Sequence, residues 1–392
     1  MLGPVEKELD RTKYVGSDFL IPEYARIITG VRRCGKSTLL RQIIRQGTHT
    51  AFYLNFDDPR LYEFTLETTQ LLDLLIAEKQ PALLCFDEIQ VLDKWEQYIR
   101  QKLDEGFFVL LTGSSASLLS RELGSRLTGR HVDTELFPFS YLEYLEYTNE
   151  TAGKASFSSY FRLGGFPMSI KYGQEYLLML FDDIIQRDIL VRYGIRNARA
   201  FKSLSLYLLS NVGTKVSANK LLAVSDVATP KSILEYFSYL ESSYLFSFVP
   251  RYDDSYRAQQ ISPKKVYCID VGLIHALTEC FSVNAGHVLE NLVFNELRSR
   301  YRRIYYYEQG GECDFIVQTD RHETVMIIQV CAELTIDNRR REFSGLELAM
   351  KRFPTAKPYV LTNNQEDMAL VGDRVVSVLP VWKWLVEIQK PT

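Results

Sequence analysis

An α/β protein opening on a mainly parallel sheet is what this sequence predicts, and three observations carry that prediction. Strand-like and helix-like segments alternate through residues 1 to 150. A glycine-rich octapeptide sits between an apolar run and a helix-forming run, and about 50 residues later a second apolar run ends in two carboxylates.

Residues 25 to 29 (ARIIT) read as a buried strand, and Thr38 to Gln46 repeats apolar residues at helical spacing. Between them, Gly30-Val31-Arg32-Arg33-Cys34-Gly35-Lys36-Ser37 fits GxxxxGK[ST], a phosphate-binding loop. Its glycines let backbone amides turn inward to cradle phosphates at a helix N-terminus. Lys36 would reach the β- and γ-phosphates, and the Ser37 hydroxyl would ligate Mg²⁺. The expected ATP contacts are therefore Gly30, Val31, Arg32, Arg33, Cys34, Gly35, Lys36, Ser37 and Thr38. Further strands are expected at 51 to 56 (AFYLNF), 82 to 86 (ALLCF), 107 to 111 (FFVLL) and 131 to 136 (HVDTEL). After the second of these stand Asp87, suited to hold Mg²⁺, and Glu88, suited to polarise the attacking water. After the third, Ser114 or Ser115 reads as a sensor of the γ-phosphate, or as a polar cap of the next helix.

Length and composition fit without sharpening this. A chain of 392 residues can hold two or three cores, and a net charge of −3 with a pI near 6.1 gives no global positive field for nucleic acid. Six cysteines (34, 85, 268, 280, 313, 331) with no CxxC pair indicate reduced core residues, neither a zinc site nor a disulfide framework. The N-terminus lacks an apolar leader and no run reaches the roughly 18 apolar residues of a membrane span, so a soluble, cytoplasmic protein is expected.

A small, polar stretch at 148 to 159 suggests the end of the first domain, and helical spacing dominates from 176 to 244. Ser217 to Leu222 and the helix opened by Thr229-Pro230, followed by strand-like YLFSFV (244 to 249) and KVYCID (265 to 270), suggest a winged helix-turn-helix. Such units also serve purely as packing modules. A third α/β unit follows, with a helix from Gly286 to Tyr301, strands at 303 to 308, 313 to 318 and 325 to 330, and a charged helix from Arg339 to Arg352. The expected domains are 1 to 150, 151 to 255 and 256 to 392.

The combination ITGVRRCGKSTLL, LLCFDEIQ, LTGSSASLLS, LTGR, LFPFSYLEYL, GGFP (164 to 167) and VYCIDVGL resembles a family of prokaryotic AAA-type ATPases with a C-terminal restriction-endonuclease-like domain of unknown function. The resemblance implies ATP and Mg²⁺ as ligands and a homo-oligomer as one option. It also implies that Arg130 offers its guanidinium to a γ-phosphate, in its own or a neighbouring subunit. Arg126 competes for that role, and Arg187 could act as a sensor. Each can equally be a surface ion-pair arginine.

The tail resembles a PD-(D/E)xK nuclease in layout. Glu290 and Asp314, with Glu312 beside it, match the first two acidic positions. Gln329 stands where a carboxylate belongs, and Cys331 where a lysine belongs. An amide brings no negative charge to a hard cation, and a thiol is no ammonium, so cleavage chemistry reads as lost. Glu333 could supply a displaced carboxylate if the strand extends that far. Arginines at 298, 300, 302 and 303 with Tyr305 to Tyr307, and those at 339 to 341, could grip phosphates and stack bases, or simply finish helices and pack a strand. The expected whole is an ATP-hydrolysing regulator whose tail engages DNA or a protein partner. The alternatives are an ATP-dependent metal nuclease and an interaction module with structural ATP.

Overall fold

The computed structural model describes residues 8–15, 20–21, 23–47, 49–114, 127, 129–278 and 284–388. They divide into two compact units, Met1–Phe137 with Ser242–Tyr244, and Pro138–Glu241 with Leu245–Thr392.

The first unit is built on five parallel strands, β1 (Ala25–Thr29), β2 (Ala51–Asn55), β3 (Leu83–Asp87), β4 (Phe108–Gly113) and β5 (His131–Glu135), in the order β2-β3-β4-β1-β5. β3 is buried at every residue, which is why it reads as an unbroken apolar run. From β1 the chain passes three positions to β2, returns through β3 and β4, and emerges beyond β1 as β5. This leaves the carboxyl ends of β1, β4 and β3 side by side, where α/β sheets bind ligands. Phe56, Leu72, Ile76, Phe86, Tyr98, Ile99 and Leu111 pack one face of the sheet.

In the second unit, helices Tyr141–Thr148, Lys154–Leu163, Pro167–Tyr172 and Glu175–Asp183 lead into a π-helical turn, Ile184–Val191, and then helix Ala198–Ser210. Ser140 and Glu143 cap the first of these reciprocally. There follow β6 (Lys215–Val216), helices Ala218–Leu222 and Pro230–Ser242, β7 (Phe246–Val249) and β8 (Lys264–Cys268), the strands pairing antiparallel in the order β6-β8-β7. A six-stranded mixed sheet closes the chain: β9 (Arg303–Glu308), β10 (Glu312–Gln318), β11 (Thr324–Val330), β12 (Lys357–Thr362), β13 (Asp367–Val371) and β14 (Arg374–Pro380), ordered β13-β14-β12-β11-β10-β9. Helix Ile336–Arg352 covers one face. It comes so close that a Cβ on Gly345 would lie 1.9 Å from the Glu312 carbonyl.

The motifs GGFP and VYCIDVGL, distant in sequence, meet in this unit. The buried Asp270 carboxylate accepts from the amides of Gly165 (2.7 Å), Gly272 (2.9 Å) and Leu273 (3.3 Å) at the start of helix Val271–Thr278. Gly164 turns with φ +73°, and a Cβ there would strike Asp270 Oδ1 at 2.0 Å. Cβ atoms on Gly165 and Gly272 would meet the carbonyls of Phe139 and Leu163 at 2.2 and 2.3 Å. The glycines are required by close backbone approach.

Candidate functional site

Helix Lys36–Gln46 starts directly after Gly35, which has φ +111°, so the amides of its first turn point into the loop without intrahelical partners. A Cβ on Gly30 would lie 2.1 Å from the Leu136 carbonyl, and Arg33 holds φ +66°, a left-handed turn uncommon outside glycine. Lys36, itself buried, lays its ammonium over the loop, donating to the carbonyls of Gly30 (3.0 Å) and Val31 (3.1 Å). Ser37 and Thr38 are half-buried, and Thr38 Oγ1 accepts from Arg41 (3.3 Å). Arg33 is exposed, whereas Cys34 is wholly buried and burial pushes its thiol pKa up.

Facing the loop, Glu88 Oε1 lies 3.9 Å from Lys36 Nζ. Glu88 has φ +52°, and its amide donates to Thr112 Oγ1 (3.0 Å), holding a left-handed residue at the end of β3. Burial raises the pKa of this carboxyl, but Lys36, the Gln90 amide, Arg32 and the Ser114 hydroxyl together hold it below its usual value. Held below that value it is ionised near neutral pH, the form that can take a proton from water. Asp87, almost fully buried, receives hydrogen bonds on both oxygens, from Tyr53 (3.0 Å) on β2 and from Thr112 on β4. Ser114 is buried next to this pair and accepts weakly from Gln90 (3.4 Å).

Lys36, Asp87, Glu88 and Ser114 thus gather at one end of the sheet. Arg130 does not join them. It precedes β5, where its carbonyl accepts from the Ala25 amide at the start of β1, and its guanidinium pairs with Asp104 at 2.8 Å. Five residues of strand, about 16 Å, separate that end of the sheet from the loop, so Arg130 cannot reach the phosphates of its own subunit. Arg187 is exposed beside Asp183 at 4.0 Å. Ser115 and Arg126 lie outside the described residues.

Sequence reasoning missed Arg11. Its guanidinium is buried and donates to the carbonyls of Cys34 and Phe137, both at 3.0 Å. Its amide binds Gln42 on the loop helix at 3.1 Å, and Gln42 donates in turn to the Leu9 carbonyl at 2.7 Å. It also missed Tyr53, whose polar tip in an apolar strand is the one available signal; Thr112, one of the small polar residues at the end of β4, turns its hydroxyl to Asp87 and the Glu88 amide.

The tail holds a second cluster in a cleft of about 650 Å³. Glu290 on helix Ala285–Arg298, and Glu312 and Asp314 on β10, converge on Lys265 Nζ at 3.0, 2.9 and 2.7 Å. Tyr267 donates to Glu290 (2.6 Å), the Val330 amide to Asp314 Oδ2 (2.8 Å), and Lys215 pairs with Glu308 and Glu312 (2.7 and 2.9 Å). Burial and the Asp314 charge push the pKa of Glu290 up to about 8, whereas Lys265 and Lys215 overcome burial to bring Glu312 down to about 2. Gln329 bridges the Asp314 amide (3.3 Å) and Glu342 (2.8 Å). Cys331 packs in the core with its thiol pKa pushed up to about 12 by burial. β11 ends at Val330, so the condition for Glu333 to share its strand face is unmet, and that residue is exposed at the cleft rim.

The tyrosines following the arginine cluster pack inward. Tyr306 is wholly buried and donates to the Pro263 carbonyl, Tyr305 meets Tyr252 edge-on, and Tyr307 packs against Phe353. Arg300 pairs with Glu296 and Arg341 with Glu342. No helix among the described residues is long and apolar enough to cross a membrane.

Residues 23–145 match the family described as AAA domain, residues 154–284 a domain of unknown function (DUF8612), and residues 285–384 another (DUF4143). An uncharacterized protein of Methanocaldococcus jannaschii is 34% identical over 93% of this chain and 89% of its own length. One from Haemophilus influenzae is 31% identical over 80% and 83%. Among solved structures, Aeropyrum pernix ORC1 in complex with DNA aligns over 70% of this chain and 98% of its own, at 12% identity and a TM-score of 0.28. A variant of RuvB from Thermotoga maritima aligns over 58% and 83%, at 18% identity and a TM-score of 0.32. The five-stranded parallel sheet with its phosphate-binding loop is a P-loop NTPase fold, followed by a helical region and a sheet-rich C-terminal domain. The likeness to the archaeal protein along nearly the whole chain settles its membership: this chain belongs to that family of AAA-domain proteins, an ATPase-like domain continued by two domains of unknown function.

Proposed function

We propose that the protein binds and hydrolyses ATP and acts as a regulator, its nucleotide state governing how the tail engages a partner. The convergence of Lys36, Asp87 and Glu88 at the carboxyl ends of β1 and β3 carries this reading. The loop amides and Lys36 bind the phosphates, with Gly30, Val31, Arg32, Arg33, Cys34, Gly35 and Thr38 shaping the cradle. Ser37 and Asp87 are the residues to hold Mg²⁺, which neutralises phosphate charge when bound. Glu88, ionised and held by Lys36 and Gln90, accepts a proton from the attacking water, and Ser114 reports on the γ-phosphate. Arg130, at the opposite end of the strands, acts in trans on a neighbouring subunit's nucleotide after leaving Asp104.

Helices Ala218–Leu222 and Pro230–Ser242 with β6, β7 and β8 support a winged-helix reading. The second helix carries Lys231 against Glu235 and Glu241, which favours a protein partner over a phosphate backbone. The test is a pair of variants. Lys36→Ala should abolish ATP binding in calorimetry. Glu88→Gln should keep binding while turnover falls at least roughly tenfold. Unchanged affinity in the first, or equal loss of binding in both, overturns the assignment.

A further inference from the structure

The nuclease-like layout assigns Glu290 and Asp314 to a divalent cation, and the residues around them do not fit one. Their oxygens, with one from Glu312, surround the Lys265 ammonium at 2.7 to 3.0 Å, normal charge-assisted hydrogen-bond lengths. We propose that Lys265 is a built-in cation that takes the place of the metal in this carboxylate cluster, making the cleft a metal-independent site that only the loss of Lys265 converts into a divalent-cation site.

Three features support this. First, the three carboxylates come from two elements, helix Ala285–Arg298 and β10, and each has an anchor other than the lysine. Asp314 is anchored by the Val330 amide, Glu290 by Tyr267 and Glu312 by Lys215. Removing the ammonium therefore leaves three oxygen donors aimed at one point, the kind of donor set that hard cations take. Second, Lys265 is buried to within 2% of its side chain on β8, so its charge is held chiefly by these acids. Third, the position two residues after Gln329, where the resemblance to the nuclease motif places a lysine, is filled by Cys331 packed into the core. An ammonium has thus come from another strand, and it sits among the carboxylates instead of beside them.

The charge balance makes the exchange specific. Lys265 and Lys215 face Glu290, Glu308, Glu312 and Asp314, and replacing Lys265 by a neutral side chain deepens the local negative charge by one. A divalent ion entering through the cleft reverses that deficit. The experiment is a Mn²⁺ titration of the nucleotide-free full-length protein followed by electron paramagnetic resonance, so that the ATP site takes no part. Wild type is expected to bind no Mn²⁺ that responds to Asp314→Asn. Lys265→Met is expected to bind one Mn²⁺ at least tenfold more tightly than wild type, and to lose it in Lys265→Met combined with Asp314→Asn. Because Lys265→Met leaves acids buried without a counter-charge, its thermal unfolding is measured with and without Mn²⁺. A lowered midpoint that Mn²⁺ restores supports the exchange, and a variant that stays unfolded in Mn²⁺ overturns it. Wild-type Mn²⁺ binding that Asp314→Asn abolishes also overturns it, as does a folded Lys265→Met that binds none.

Discussion

At the scale of single residues, the nucleotide loop depends on a side chain outside its motif. Arg11 spans the carbonyls of Cys34 and Phe137, and its backbone is tied to Gln42 on the loop helix. It fixes the loop without belonging to the cradle. Arg11→Ala would remove the guanidinium donor from the buried Cys34 carbonyl, at a cost of roughly 1–3 kcal/mol in the loop's ordered state. Nucleotide affinity should fall roughly tenfold or more, with turnover at saturating ATP changing much less. Calorimetry and steady-state kinetics check this split, and an unchanged affinity with reduced turnover would move Arg11 from positioning to chemistry. The octapeptide was legible because its spacing is dictated by phosphate geometry. Arg11 was not, because a lone arginine in a polar segment has no periodicity to betray its burial.

At the scale of elements, the joint between helix Lys154–Leu163 and helix Val271–Thr278 shows why GGFP and VYCIDVGL are what they are. Gly272→Ala would place a methyl 2.3 Å from the Leu163 carbonyl, a backbone atom that cannot give way cheaply. A loss of roughly 1–3 kcal/mol is expected, seen as a lower denaturation midpoint with an unchanged urea slope. Asp270 adds a pH dependence. Burial pushes its carboxyl up to about 6, while the amides of Gly165, Leu273 and Gly272 pull against that shift. The folded pKa therefore lies above the unfolded value of about 3.9, and the folded state holds the extra proton between them. The stabilisation linked to that proton is complete below the unfolded pKa and is lost as pH rises through about 6. The stability of wild type relative to Asp270→Asn should accordingly be greatest near pH 4 and smaller at pH 7. A difference that grows with pH would contradict the assignment. The two motifs were visible in the sequence as unusual strings, yet their meeting was not, since about a hundred residues separate them.

At the scale of the whole molecule, Arg130 and the tail make separate predictions. Arg130→Ala should lower turnover and leave ATP binding intact, and mixing it with Lys36→Ala should restore activity above that of either alone. Absence of rescue together with a monomeric mass would remove the trans role. With Mg²⁺ or Mn²⁺ and ATP, wild-type protein should leave linear, circular and single-stranded DNA uncut, because Lys265 holds the carboxylates that cleavage needs. Cleavage lost in Asp314→Ala and kept in Lys36→Ala would establish an active nuclease instead.

The sequence by itself determined the parallel sheet, the phosphate loop with Lys36 and Ser37, and the acidic pair Asp87-Glu88. These are local: each is written in consecutive residues whose spacing follows from strand period, helix period or phosphate geometry. Only the tertiary structure decided that Arg130 stands at the far end of its strand, that Thr112 and Tyr53 hold Asp87, and that Glu333 falls beyond its strand. The same is true of Lys265, whose place among Glu290, Glu312 and Asp314 was invisible in a sequence where it is one lysine of a KK pair. Such placements come from how strands are ordered and which long side chains cross between them, and neither is encoded in the period of any single segment.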